Sequence, residues 1–116
     1  MIRVEPATVE MITEFYGEPP TRTQKALAVI EDGEIVSIVG VYRHNGQVVL
    51  FSDSLSKVTN NMKKYAKAAV KCMKLLAPYM ASAKEVKAFA EPSISKSDVF
   101  LTHFGFSNKG GHIWQR

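Results

Sequence analysis

Residues 48–76 constrain the fold most, because they read as a strand, a short polar loop and a lysine-rich helix in direct succession. Their sequence is VVLFSD, then SLSKVTNN, then MKKYAKAAVKCMKLL. A strand that runs into the N-terminus of a helix forms a natural anion site, because free backbone N–H groups and the helix dipole both point at the junction. Lys57, Lys63 and Lys64 add positive charge there. The loop has no glycine, the residue that usually lets a phosphate approach the backbone closely.

The chain of 116 residues is long enough for one domain whose core needs neither a disulfide nor a metal. Cys72 is the only cysteine, and a small buried side chain is a more usual role for it than a catalytic thiol. The three histidines do not have the spacing of metal ligands, so no metal site is expected. No apolar run approaches the roughly 20 residues of a membrane span, and residues 1–8 are too polar for a signal peptide. We therefore expect one domain over residues 1–116, in a cytoplasmic compartment.

Charge is distributed unevenly along the chain. Acidic residues dominate residues 1–34, whereas lysines dominate residues 57–87. This asymmetry favours an anionic partner for the second half, although a lysine stripe also simply keeps a helix face solvated. Nucleic-acid binding is the weaker hypothesis, because no arginines or exposed aromatic rings lie between the lysines. The lysines of the stripe are Lys63, Lys67, Lys71 and Lys74.

Turn-forming dipeptides divide the first half of the chain into strands. Asp32-Gly33 and Asn45-Gly46 are strong signals for tight hairpins, so three consecutive strands should form an antiparallel meander. Thr8 is a good N-cap for a helix that ends at Tyr16, just before Gly17. The predicted strands of this half cover residues 2–5, 25–31, 34–43 and 47–53.

The second half predicts two helices and further strands. Apolar residues at helical spacing predict a helix over residues 60–79, which Pro78 should limit. A strand over residues 85–90, a short helix over residues 95–104 and terminal strands around Gly110-Gly111 follow. The strands at 47–53 and 85–90 should be parallel, because the long helix joins them. The order β-α-β-β-β-α-β-α-β gives an α/β (α+β) fold with a mixed, mostly antiparallel sheet and helices on both faces.

This order resembles the GNAT superfamily of acyl-CoA N-acyltransferases. IRVEPAT resembles the opening strand and helix of the family, and ALAVIEDGEIVSIVGVYRHNGQVVLFSDS resembles its three-strand meander. SDVFLTHFGF resembles its late helix, which ends in a Gly-Phe pair, here Gly105-Phe106. The resemblance implies a GNAT-like fold and transfer of an acetyl group from acetyl-CoA to a small-molecule or protein amine.

The resemblance also implies where such a site would lie. Residues 57–62 correspond to the family's pyrophosphate loop, with Lys57 in place of its basic residue. Asp53 corresponds to the substrate centre and is the candidate general base, although an aspartate there also commonly ends a strand or caps a helix. N–H groups near Phe51 and Ser52 would polarise the acetyl carbonyl, provided that the neighbouring strands splay apart. The implied cofactor-binding residues are Phe51, Ser52, Lys57, Val58, Thr59, Asn60, Asn61, Met62 and Lys63.

The sequence departs from the family pattern in ways that leave two functions open. Val58 stands in a loop where side chains crowd a phosphate, Ile94 replaces a frequent cofactor-contacting Asn, and Leu101 replaces the Tyr that often protonates the departing thiolate. The first function is an N-acetyltransferase. The second is an inactive GNAT-fold structural or adaptor protein with a protein partner or a homo-oligomeric state. Small phage-encoded GNAT-like proteins, some of them packaged in virions, show a similar loss, so a virion component is one form of this alternative.

Overall fold

The computed structural model describes residues 1–21, 24–81, 83, 86–89, 102, 106–110 and 113–115. Apart from Thr102, the helix predicted over residues 95–104 lies outside these described residues. The helices are α1 (Val9–Tyr16), α2 (Ser56–Thr59) and α3 (Ala66–Ala81). The strands are β1 (Ile2–Pro6), β2 (Gln24–Glu31), β3 (Glu34–His44), β4 (Gln47–Ser54), β5 (Val86–Phe89), β6 (Ser107–Gly110) and β7 (Ile113–Gln115).

The described strands form one mixed sheet in the order β1-β2-β3-β4-β5-β7-β6. Its neighbours are antiparallel except β4 and β5, which are parallel because α2 and α3 cross between them. Both predicted hairpins are present. Asp32 and Gly33 have φ values of 51° and 84°, and Asn45 and Gly46 have φ values of 51° and 76°, as tight hairpin turns require. The mixed, mostly antiparallel sheet predicted from the sequence is therefore confirmed.

Helices cover both faces of this sheet, also as predicted. On one face, α1 contributes Ile12 to a buried cluster with side chains of β2 and β3. On the other face, α3 buries a row of apolar side chains against β2, β3, β4 and β5. Apolar burial on both faces supplies the main driving force for folding. The buried residues of α3 are Cys72, Met73, Leu76 and Met80.

Two well-formed caps fix the length of α1. The Thr8 hydroxyl accepts a hydrogen bond from the Met11 backbone N–H at 3.1 Å, which satisfies one of the free donors at the helix start. Gly17 ends the helix in the left-handed conformation, with φ of 80°, and its N–H donates to the Thr13 carbonyl. The caps place Tyr16 at the C-terminal end of α1, beside the sheet.

The long helix differs from its prediction at both ends. It begins at Ala66 rather than at residue 60, because residues 60–65 fold into turns after the short helix α2. It also continues past Pro78 to Ala81. Proline removes one helical hydrogen bond, but the extra turn buries Met80, which retains only 2% of its exposure. Burial of that side chain compensates for the lost bond.

Candidate active site

The C-terminal end of β4 extends beyond its pairing with β5. The parallel ladder joins residues 48–50 of β4 to residues 86–88 of β5. On its other edge, β4 remains paired with β3 as far as the Ser37–Ser54 pair. Within the described ranges, residues 52–54 thus have no strand neighbour on the β5 side. This edge is where an extended ligand could add to the sheet by backbone hydrogen bonds.

Phe51 lies on the α1 face of the sheet, directly across from Gly40 on β3. A Cβ atom at Gly40 would lie 2.8 Å from the Cζ atom of the Phe51 ring. Only glycine therefore leaves room for this ring. The Phe51 ring also packs near Tyr42, with 5.9 Å between the ring centroids. The sequence predicted Phe51 as a backbone ligand to a cofactor, and the structure adds that its side chain fills part of the α1 face.

Asp53 is exposed on the α1 face and is held by Tyr16. The Tyr16 hydroxyl donates to Oδ2 of Asp53 at 2.6 Å. The Ser37 hydroxyl donates to the Asp53 backbone carbonyl at 3.2 Å, which fixes the strand end. Asp53 does not cap α2, because the N-cap residue of that helix is Leu55 and no side chain caps it. A solvent-facing carboxylate oriented by a phenol is able to accept a proton from a bound amine.

The loop after β4 uses most of its backbone N–H groups internally. The N–H of Val58 donates to the Leu55 carbonyl at 2.9 Å, and the N–H of Asn60 donates to the Ser56 carbonyl at 2.8 Å. The N–H of Asn61 donates to the Val58 carbonyl at 3.1 Å. Of the residues predicted to hold a pyrophosphate, these three therefore have backbone donors already engaged. The Thr59 N–H also donates to the Leu55 carbonyl, at the longer distance of 3.4 Å.

The side chain of Val58 points into the core rather than toward the mouth of the loop. It retains 8% of its exposure and packs in the same buried cluster as α3. It therefore does not occupy the space that a phosphate would need, which corrects the expectation from the sequence. An apolar residue in a polar loop gains stability by facing inward, and here it anchors α2 to the sheet.

Two lysines of the loop are bound to acidic residues at the end of the β2–β3 hairpin. Lys57 forms a salt bridge with Glu34, and its Nζ atom lies 3.9 Å from Oε1 of Glu31. Lys64 Nζ lies 2.7 Å from Oε2 of Glu31. The buried Tyr65 hydroxyl donates to Oε1 of Glu31 at 2.6 Å. We call these five residues the lysine–glutamate cluster.

The lysine–glutamate cluster stabilises the charges of its members. The Lys64 ammonium, followed by the Tyr65 hydroxyl, lowers the pKa of Glu31. The hydrogen bond to Glu34 raises the pKa of Lys57, and Glu31 raises the pKa of both Lys64 and Tyr65. At neutral pH Glu31 is thus ionised, both lysines are protonated and Tyr65 is neutral. These ion pairs tie the loop to the sheet.

Residues 62–63 and the first residues of α3 offer backbone donors that residues 58–61 do not. The N–H groups of Met62, Lys63, Lys67 and Ala68 have no backbone acceptor among the described residues. An open groove of about 440 Å³ runs along the exposed side of the same helix. Its described lining combines small apolar side chains with three lysines, a combination that suits a ligand with both an apolar body and negative charge. The described residues that line it are Ala66, Lys67, Val70, Lys71 and Lys74.

Other chemistries have less support. Burial raises the pKa of the Cys72 thiol to about 11, so it is an apolar core residue rather than a nucleophile. The part of the chain that the structure describes contains no group of His, Cys, Asp and Glu side chains able to hold a metal ion. In that same part, no helix is both long and apolar enough to cross a membrane.

Several contacts of the candidate residues could not be predicted from the sequence. It placed Asp53 at the end of β4 but gave no sign that Tyr16 binds it, because the two residues are far apart in sequence. It assigned Lys57 to a cofactor phosphate, whereas Lys57 is paired with Glu34. The acidic residues that flank the Asp32-Gly33 turn were the available signal, since a hairpin end rich in carboxylates attracts nearby lysines.

The comparison with known proteins bears on the fold. No family model and no curated protein matches the sequence. Solved structures do match the fold. One is the ribosomal-protein-S18-alanine N-acetyltransferase from Escherichia coli, with a TM-score of 0.64 and 9% identity over 99% of this chain and 90% of that chain. A GNAT-family acetyltransferase from Staphylococcus aureus has a TM-score of 0.59 and 12% identity over 100% and 98%.

A third similar structure was solved with a ligand. It is a candidate N-acetyltransferase from Escherichia coli bound to coenzyme A, with a TM-score of 0.51 and 11% identity over 100% of this chain and 98% of that chain. Identities this low carry information about the fold and not about the residues of a site. The chain therefore has the fold of the GNAT acetyltransferases.

Proposed function

We propose that this protein binds acetyl-CoA and transfers the acetyl group to a primary amine. The observation that carries the proposal is the end of β4. There, within a GNAT fold, residues 52–54 have no strand neighbour on the β5 side among the described residues, and they lie just before the loop that leads to the N-terminus of α3. A thioester tail can add to such an edge while a pyrophosphate binds helix N–H groups.

The residues present partly fit acetyl-CoA, which supplies an activated acetyl group when bound. The N–H groups of Met62, Lys63, Lys67 and Ala68 are suitable donors to a pyrophosphate, since none of them has a backbone acceptor in the described part of the chain. The groove along α3 offers Ala66 and Val70 to a nucleotide base and lysines to its phosphate. The binding surface is thus displaced toward α3 relative to the one predicted from residues 57–62.

Asp53 has the chemistry of the general base. Its carboxylate takes a proton from the substrate ammonium, which frees the nitrogen lone pair to attack the acetyl carbon. The C–N bond forms and the C–S bond breaks, while water relays the second proton of the attacking nitrogen to the departing thiolate. Tyr16 holds one carboxylate oxygen of Asp53 at 2.6 Å and so limits its rotation. Correct placement of a reacting group accounts for a large part of enzymatic rate.

Calorimetric titration with acetyl-CoA, followed by a transfer assay on a panel of amines, tests the proposal. We expect measurable binding that Lys67→Glu combined with Lys71→Glu weakens, because both exposed lysines line the groove. Lys109→Glu makes the same type of charge change at an exposed position of β6 and should have little effect. Asp53→Asn should retain binding and lose transfer by roughly 100-fold or more. Absence of binding at millimolar acetyl-CoA would refute the proposal.

A non-catalytic role on the same scaffold is the second candidate. It is favoured by the engaged N–H groups of residues 58–61 and by the pairing of Lys57 with Glu34, which leave part of the usual phosphate site occupied by the protein itself. This role predicts no CoA binding, together with a stable homo-oligomer or a tight protein partner. Sedimentation measured beside the calorimetry separates the two, because a monomer that turns over acetyl-CoA contradicts it.

A further inference from the structure

The lysine–glutamate cluster has a consequence for how the loop behaves. Glu31 retains only 8% of its exposure, and its carboxylate is bound by Lys64 at 2.7 Å and by Tyr65 at 2.6 Å. Lys57 is held from the same side by Glu34. Both ends of the segment 57–65 are therefore attached to the end of the β2–β3 hairpin.

Most backbone N–H groups of the same segment are hydrogen-bonded as well, and Met62 and Lys63 are exceptions among the described residues. Besides the bonds of α2, the N–H of Lys64 donates to the Asn61 carbonyl at 3.1 Å, and the N–H of Tyr65 donates to the Met62 carbonyl at 3.2 Å. Val58 adds an apolar anchor beneath. Hydrogen bonds between residues three apart in the chain protect these N–H groups from solvent and from ligands alike.

We infer that Glu31 and Glu34 are positioning residues that hold segment 57–65 closed, and that an anion gains Lys57 and Lys64 only when these ion pairs break. A glutamate and a ligand phosphate compete for the same ammonium groups. Apparent affinity for the anion then falls by the fraction of molecules whose loop is open. The identity of the anion rests on the proposed function, whereas the closed state of the loop does not.

The test compares Glu34→Gln and Glu31→Gln with Glu14→Gln. Glu34 is 55% exposed in its side chain, so its substitution should leave the fold intact even if the buried Glu31 does not tolerate change. Glu14 is an exposed residue of α1, on the opposite face of the sheet, and Glu14→Gln removes the same charge as the other two substitutions. Hydrogen exchange of the N–H groups at residues 60, 61, 64 and 65 is measured at low salt. Calorimetry with inorganic pyrophosphate and with CoA is measured on the same samples.

We expect Glu34→Gln to accelerate exchange in the segment and to tighten anion binding by the same factor, about two- to fivefold, as for loss of an exposed ion pair. Glu14→Gln should change neither. Unchanged exchange in Glu34→Gln overturns the inference, and so does tighter binding without faster exchange, because that pattern reflects net charge alone. Faster exchange with no CoA binding in any variant supports the closed loop and refutes the proposed acetyltransferase.

Discussion

Replacement of Val58 by glycine separates a structural role for this residue from a role at the ligand. The side chain is almost fully buried in the cluster that joins α2 and α3 to the sheet. Removing a buried valine costs about 2 kcal/mol, and glycine in a helix costs about 1 kcal/mol more. We expect the free energy of unfolding to fall by about 3 kcal/mol in total. For a domain of this length, that corresponds to a melting temperature lower by about 12 °C.

Asn60→Gly is the matched control for this prediction. Asn60 is exposed and ends α2 in an ordinary right-handed conformation, with φ of −83°. Its replacement should cost less than about 1 kcal/mol, since no buried side chain is lost. Thermal unfolding and acetyl-CoA titration are measured on both variants and the parent. Tighter acetyl-CoA binding in Val58→Gly with an unchanged melting temperature would refute the account, because it would place Val58 at the ligand and not in the core.

Three further predictions concern pH, thiol chemistry and sheet packing. Because Lys64 lowers the pKa of Glu31, this carboxylate stabilises the fold above pH 4.5. The free energy of unfolding in urea should therefore be larger for the parent than for Glu31→Gln, and this difference should shrink as pH falls below 4.5. A difference that stays constant with pH contradicts this. Cys72, with its pKa of about 11, should not react with a thiol reagent at pH 8 until the protein is unfolded; rapid labelling of the native protein contradicts its burial. Gly40→Ala would place a Cβ 2.5 Å from the Lys25 carbonyl oxygen and 2.8 Å from the Phe51 ring. The free energy of unfolding, measured by thermal unfolding, should therefore fall by about 1–3 kcal/mol.

The elements set by local chemistry could be predicted from the sequence. Asp32-Gly33 and Asn45-Gly46 adopt positive φ at little cost, so the hairpins and the meander followed directly. The Thr8 cap and Gly17 likewise defined α1. Parallel pairing of β4 and β5 followed from the helical crossover between them.

The loop could not be predicted, because its structure depends on contacts between residues distant in the chain. Apolar periodicity continued the helix back to residue 60. Tyr65 and Lys64 instead bind Glu31, and residues 60–65 form turns that permit these contacts. The helix end predicted from Pro78 was wrong for a related reason, since the stability gained from burying Met80 appears only once α3 is packed on the sheet. Tertiary contacts overrode local preference in both cases.

Mapping of CoA binding by NMR tests the central claim most directly. In a titration of the labelled protein, the account predicts saturable shifts of backbone N–H signals at residues 52–54, where β4 extends beyond its described ladder with β5. It predicts the same at residues 62–68, which lead into α3 and form its first residues. Signals of β1 and of β6, at the two outer edges of the sheet, should remain unchanged. No saturable shift at millimolar CoA, or shifts confined to those outer strands, would contradict the account.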